Sequence, residues 1–439
     1  MTAAGAGAAD RGAFRDPAFT ANREAPVHRW VPWIAGFSRQ FVQDALARHL
    51  QAPGVVLDPF AGVGTTLLEA DLAGHAAIGF EINPYAAFAA RAKLAAHRLE
   101  PARLRTAAAA FEAFMAESRR SGRAPSASPP AAFRTRAPFY SPAVERKVLL
   151  AFDFMETLEA PVAALFRLAF AATMVGYSNY SYEPSLGRKA SVGRPEVEDD
   201  DVAGAIAAKV RQMADDVAWY REDRANPERD DGRVLEESFF DGYAALDEAS
   251  VDLLITSPPY LNNYHYNRNT RPHLYWLGFC ATPGDTKHLE ELNFGTYWQN
   301  ARYEARIDLD PAIDDAEIRA ALDEVRRRNP DKGVYGGNGW ANYAARYFND
   351  CARFAGGAAR CLRPGATALV VIGNSILQGV PIPTDRFLAA IAAPRGFAVA
   401  GIHVPRETRV GSSIVESSVR AGKAAGGALY EAVVELRRL

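Results

Sequence analysis

The sequence predicts an α/β fold: an open, mainly parallel Rossmann-like sheet interrupted by an all-helical insertion. Two observations carry the prediction. Between residues 54 and 99 an apolar run (Val55, Val56, Leu57), a glycine-rich turn and a helix are followed by a second apolar run and an alanine-rich helix. Strand–helix–strand–helix order with short connections builds a parallel sheet. Strand character then returns only from residue 251 on, at 251–255 and 366–372 first, after a long stretch of helical patterning.

Taken in order, residues 1–25 read as a flexible Ala/Gly-rich tail. Residues 26–105 form the first part of the sheet domain, with strands at 55–57 and 76–80 and helices at 65–72 and 84–99. Pro84 suits the first helical position, where a missing N–H costs nothing. Residues 106–230 form the insertion. Its segment 118–138, rich in Ser, Pro, Ala and Arg, reads as a linker, and helices follow at 141–159, 160–175 and 202–220. Ile206, Val210, Met213, Val217 and Tyr220 share one face of the last helix at three- and four-residue steps. No strand is expected within the insertion. Residues 231–439 complete the sheet domain, with a polar insert at about 262–339, a helix at 340–362, a strand at 366–372, a helix at 384–392 and final strands at 397–404 and 428–437.

Composition narrows the function classes. The chain has 439 residues, 49% of them hydrophobic and 23% charged, as in ordinary globular proteins. Three scattered cysteines, Cys280, Cys351 and Cys361, are too few for a disulfide framework, which fits a cytoplasmic location. The start lacks the basic and apolar regions of a signal peptide, and no uncharged apolar stretch reaches about 18 residues, so no membrane span is expected. No His/Cys/Asp cluster has metal-ligand spacing, so no metal is expected. Formal charge is −2, yet the cations cluster: Arg119, Arg120, Arg123, Arg134 and Arg136; Arg188, Lys189 and Arg194; Arg326 to Arg328. Such loops can grip a phosphate backbone, or simply be solvated faces.

Two motifs carry chemistry. Asp58-Pro59-Phe60-Ala61-Gly62-Val63-Gly64-Thr65-Thr66 joins a strand to a helix, where glycines let a ligand approach the backbone and the helix N-terminus offers free N–H groups. Glu81 closes the next strand 23 residues after Asp58, placed to accept hydrogen bonds from ribose hydroxyls. The third glycine of a dinucleotide fingerprint is missing, because Thr66-Leu67 stands there. The second motif, Thr256-Ser257-Pro258-Pro259-Tyr260, follows an apolar strand. Its two prolines fix φ and remove two donors. They leave a rigid bend whose carbonyls accept N–H bonds from an exocyclic amine, with the Tyr260 ring offered to a base.

Together these motifs resemble those of the amino-methyltransferases of DNA, and the Ser-Pro-Pro-Tyr version resembles the cytosine-N4 branch. The resemblance covers roughly residues 29–83 and 234–439. It implies an S-adenosylmethionine-dependent methyltransferase sheet, with S-adenosyl-L-methionine as cofactor. The positions implied to bind it are Asp58, Phe60, Ala61, Gly62, Gly64, Thr65, Thr66, Glu81, Ile82 and Asn83. Glu237-Ser238 stands where the family often has Gly-Asp-Ser near the adenine. His28 to Trp33, through Phe37 and Ser38, resembles the segment that closes over the methionine end. Ser257, Pro258, Pro259 and Tyr260 are the implied catalytic set. The implied partner is double-stranded DNA; a cognate restriction endonuclease and the oligomeric state stay open.

The expected reaction is methyl transfer to cytosine N4 in a flipped-out base. Adenine N6 in DNA, an amine in RNA, and a silent DNA-binding homologue are the alternatives. An NAD-dependent enzyme is disfavoured by the incomplete glycine pattern. Arg188, Lys189 and Arg268 are the expected DNA contacts. His265 reads as a structural hydrogen-bonding group rather than a catalytic one.

Overall fold

The computed structural model describes residues 14–15, 22–31, 33, 36–182, 186–226, 228, 232–262, 264–408 and 429–439. Most of the expected 1–25 tail lies outside the described residues.

Seven strands form the main sheet: β1 (Val55–Asp58), β2 (Ala76–Phe80), β5 (Arg233–Leu235), β6 (Val251–Thr256), β7 (Leu362–Gly373), β10 (Phe397–Thr408) and β11 (Leu429–Arg438). Two short hairpins supply β3 (Tyr180–Tyr182) with β4 (Leu186–Arg188), and β8 (Ser375–Leu377) with β9 (Val380–Ile382). The main order is β10-β11-β7-β6-β1-β2-β5, and β11 alone runs antiparallel to both its neighbours. This is the open, mainly parallel Rossmann-like sheet expected from the sequence. The chain winds outward from β1 to β2 and β5, then returns to the other side of β1 as β6. Ligands of open α/β sheets bind at the carboxyl ends on either side of that reversal.

The helices are α1 (Arg39–His49), α2 (Thr65–Leu72), α3 (Pro84–Ala95), α4 (Pro101–Arg120), α5 (Pro142–Met155), α6 (Ala160–Thr173), α7 (Val202–Asp223), α8 (Phe239–Gly242), α9 (Tyr266–Trp276), α10 (Pro283–Glu291), α11 (Trp298–Ala301), α12 (Ala316–Arg327), α13 (Gly337–Cys361) and α14 (Thr384–Ala392). On one sheet face, Val56, Leu253, Ile255, Leu369 and Val371 pack against Phe41 and Val42 of α1 and Leu67 of α2. On the other face, Leu57, Leu254, Val370 and Ile372 meet the aromatic side of α13. A third core joins α3 to α4–α7 and α9.

The structure corrects two expectations. The insertion contains the β3–β4 pair, whose three-residue strands are too short to show an alternating pattern. The polar insert is helical, carrying α9 to α12. Ile318, Leu322 and Val325 of α12 are its buried stripe at steps of four and three. Among the described residues no helix is long and apolar enough to cross a membrane, and no group of three or more His, Cys, Asp or Glu is placed to hold a metal. The three cysteines are buried and unbridged.

Candidate active site

A cleft opens over the carboxyl ends of β1, β2, β5 and β6. Its position follows from the local sequence. After β1, Gly62 (φ +51°) and Gly64 (φ +82°) take left-handed conformations that L-residues avoid. A Cβ on Gly62 would stand 3.2 Å from the Trp33 indole nitrogen, and one on Gly64 2.9 Å from the Ala90 methyl. The first glycine therefore leaves room under Trp33, and the second lets α2 lie close to α3.

Asp58 joins the two motifs. Its carboxylate is buried and accepts bonds from the Phe60 amide (3.1 Å), the Thr66 hydroxyl (2.7 Å) and the Thr256 hydroxyl (2.6 Å). Thr256 immediately precedes Ser257, so one side chain sets the glycine turn against the Ser-Pro-Pro-Tyr bend. Burial pushes the Asp58 carboxyl up to about 6, even though those three donors favour its charge.

Glu81 lies across the turn. Its carboxylate accepts from the Gly62 amide (2.8 Å) and the Asn83 amide (2.7 Å), and burial raises it to about 7 against those two bonds. Asn83 caps α3 by accepting from the Tyr85 and Ala86 amides, and its amide donates to Asn267 and Thr270 of α9. The polar insert is thereby tied to the end of β2. Beneath the turn, the buried Lys93 ammonium donates to the Val63 carbonyl (3.0 Å); burial and nearby Lys209 bring it down to about 7.

The cleft gathers Phe60, Gly62, Glu81, Ile82, Asn83, Glu237, Ser238, Ser257 and Pro259 from the expected set. Asp58, Ala61, Gly64, Thr65 and Thr66 form the buried scaffold under it. Pro258 and Tyr260 do not line it. The Tyr260 hydroxyl donates to Glu431 on β11 (3.1 Å), its ring lies against Gly373, and burial with that carboxylate holds its pKa well above the phenol range. Phe37 and Ser38 also lie elsewhere: Ser38 caps α1, and Phe37 packs on Phe41 in the opposite core.

Trp33, in the segment expected to close over the methionine end, also lines the cleft with Tyr266 and Asn267, and so do Phe240, Asn293 and Phe294, which the motifs did not single out. Phe240 and Phe294 lie nearly parallel with centroids 5.9 Å apart, and Phe60 meets Phe294 edge-on. No sequence spacing marks these residues, because they come from segments far apart in the chain. Trp33 and Tyr266 also border a second cavity of about 370 Å³ between α6 and α9.

The donor set fits S-adenosylmethionine. A carboxylate faces the ribose position, a side-chain-free turn admits the methionine end, and Ile82, Phe240 and Phe294 offer flat apolar walls to an adenine. Of the expected DNA contacts, Arg188 is paired with Glu196 (2.6 Å) and the Lys189 ammonium donates to the Gly176 carbonyl (2.8 Å), while Arg268 is exposed on α9. The His265 ring stacks on Tyr297, and burial lowers its pKa.

Comparison with known proteins gives the same picture. Residues 26–91 match the N6/N4 family model described as DNA methylase. The Type II methyltransferase M.BsoBI of Geobacillus stearothermophilus is 22% identical over 439 residues, covering 90% of this chain and 83% of that protein. M.MjaII of Methanocaldococcus jannaschii is 36% identical over 72 residues, 16% of this chain and 14% of that one. Among solved structures, the rRNA methyltransferase aviRa from Streptomyces viridochromogenes aligns over 96% of this chain and 91% of its own at 11% identity and TM-score 0.30. TrmN from Thermus thermophilus aligns over 92% and 49% at 11% identity and TM-score 0.28. At such scores the fold rests on the strand order itself.

Proposed function

We propose that this chain, whose residues 26–91 match the family model described as DNA methylase, methylates the exocyclic N4 amine of cytosine in a base flipped out of duplex DNA. The observation that carries this reading is the Asp58 carboxylate joining Thr66 to Thr256, which brings the cofactor turn and the Ser257 bend to one cleft.

S-adenosylmethionine, held by Glu81 and the Gly62 turn, would supply an electrophilic methyl group on a cationic sulfur that leaves as a neutral thioether, and the proton the amine gives up would pass to solvent. The residues here position the partners. Glu81 takes the ribose hydroxyls, and Trp33 covers the methionine end above Gly62. A base amine is a poor nucleophile because its lone pair is delocalised into the ring. The Ser257 hydroxyl, which lines the cleft, accepts an amine hydrogen and turns that lone pair toward the methyl carbon, with Pro258 holding the bend behind it. Two prolines hold the bend, so no reorganisation is needed as the bond forms. Tyr260, fixed by Glu431, anchors the bend from behind, and Tyr266 is the ring that faces the incoming base. Taking the base out of the duplex costs a few kcal/mol, offset by stacking and hydrogen bonds in the pocket.

Cytosine over adenine rests on Ser257. The test is purified protein with S-adenosylmethionine and duplex DNA, followed by hydrolysis to nucleosides and mass spectrometry. N4-methylcytosine is expected. N6-methyladenine as the only product would refute cytosine while keeping amine methylation, and transfer to RNA alone would refute DNA as the acceptor.

A further inference from the structure

We propose that Asp216, a residue of the insertion helix α7 that does not line the cofactor cleft, is a positioning residue for cofactor binding. It does so by holding the segment that lays Trp33 over the glycine turn. This inference rests on the reading that the cleft takes S-adenosylmethionine.

The segment 27–30 sits between two buried carboxylates. Asp216, 2% exposed, accepts from the Val27 amide (3.0 Å), the Trp30 indole N–H (2.7 Å) and the Arg29 guanidinium through Nε (3.0 Å) and a terminal nitrogen (2.5 Å). The Lys209 ammonium, about two turns of α7 away, donates to the Arg29 carbonyl (2.8 Å). From the other side Glu69 of α2, also 2% exposed, meets His28 (2.7 Å), Gln43 (2.8 Å) and Arg39 (3.1 Å). Burial works against the Glu69 charge, yet His28 and Arg39 hold its pKa below the ordinary value.

The clamp imposes a conformation the chain would not choose. Val27 has φ +62°, a left-handed backbone that a β-branched residue strongly resists, and it is wholly buried. Its amide is one of the donors on Asp216. Three residues past Trp30, the Trp33 indole stands over Gly62 and borders both the cleft and the second cavity. Without the Asp216 charge, the Val27 amide, the Trp30 indole and the Arg29 cation lose their shared acceptor in a dry site. The strained turn then relaxes and Trp33 leaves the glycine turn. The insertion is thus part of the cofactor site although it supplies no wall to the cleft.

A natural control exists in a second buried acid joined to the same helix. Asp71 of α2 accepts from Tyr220 (2.7 Å) and Arg224 (2.8 and 3.0 Å) of α7, donors that lie outside residues 27–33. Calorimetric titration with S-adenosylmethionine should show Asp216→Asn binding about tenfold or more weaker than wild type. KM for the cofactor should rise to match, with kcat changed less than about threefold. Asp71→Asn should lose thermal stability yet bind the cofactor within about twofold of wild type. In a Trp33→Phe background, Asp216→Asn should add no further loss, since both act through the same indole. If Asp216→Asn does not fold, Trp30→Phe removes one donor and carries the same expectation in smaller measure. Unchanged affinity in Asp216→Asn, equal weakening by Asp71→Asn, or full additivity with Trp33→Phe would overturn the proposal. A wild type that binds no S-adenosylmethionine would instead refute the cofactor reading on which it stands.

Discussion

Asp58 and Glu81 are two carboxylates in one turn with different roles, and both are pushed upward by burial. Asp58 is fully occupied by Phe60, Thr66 and Thr256 and has no bond left to offer a ligand. Asp58→Ala should therefore cost about 2–4 kcal/mol of stability, read from denaturant unfolding, because two buried hydroxyls and an amide lose their acceptor. Glu81 borders the cleft and rises to about 7. The signs for folding and binding differ. Folding favours the protonated carboxyls, since both native values lie above the ordinary 3.8 and 4.5. Their contribution to stability is thus complete below about pH 4 and is lost as pH rises toward 6 and 7. Cofactor binding favours ionised Glu81, the stronger acceptor for ribose hydroxyls. S-adenosylmethionine affinity should accordingly weaken as pH falls through about 7, and Glu81→Gln should lower affinity and flatten that profile. A wild-type affinity that is flat from pH 6 to 8 would contradict the assignment.

At the scale of elements, what was legible depended on whether the signal was local. The strand–turn–helix units around Asp58 and Ser257 announce themselves, because tight turns demand glycine or proline at fixed offsets. The apolar stripe of α7 from Ile206 to Tyr220 was equally readable and is buried as expected. The stripe of α12 was present in the sequence but hidden in a polar stretch, and β3–β4 had too few residues to show any period. Nothing in the sequence links Asp216 to Trp30, 186 residues apart, or brings Phe294 to Phe60. Such contacts exist only once the layers have assembled. The DNA surface also changes at this scale. The loop before α5 exposes Arg134 and Arg136, the Arg271 side chain of α9 donates to the Arg134 carbonyl (3.0 Å), and Arg268 lies one turn away on the same helix. Among the described residues Arg134, Arg136 and Arg268 make no ion pair, whereas Arg188 is neutralised by Glu196. Replacing Arg134, Arg136 and Arg268 by alanine should weaken DNA binding and reduce its salt dependence by up to about three counterions. Arg188→Ala should change both less. The reverse ranking would place the phosphate contacts on the β4 loop instead.

Across the whole molecule, near-neutral net charge is compatible with a polyanionic substrate because charge is distributed locally: many arginines pair with carboxylates within the fold, as Arg188 does with Glu196, while Arg134, Arg136 and Arg268 are exposed. The insertion reaches the sheet through two buried acid networks, Asp216 with residues 27–30 and Asp71 with Tyr220 and Arg224. The third hydrophobic core, shared by α3, α7 and α9, makes the same connection with apolar contacts. Insertion and sheet are thus built as one body around the cleft. What such a body does to DNA is most directly read in a host that expresses it, by sequencing the host's DNA with a method that distinguishes modified bases. N4-methylcytosine at one recurrent sequence, absent from the parent strain, is the predicted result; N6-methyladenine at such a sequence, or DNA left unmodified, would contradict it.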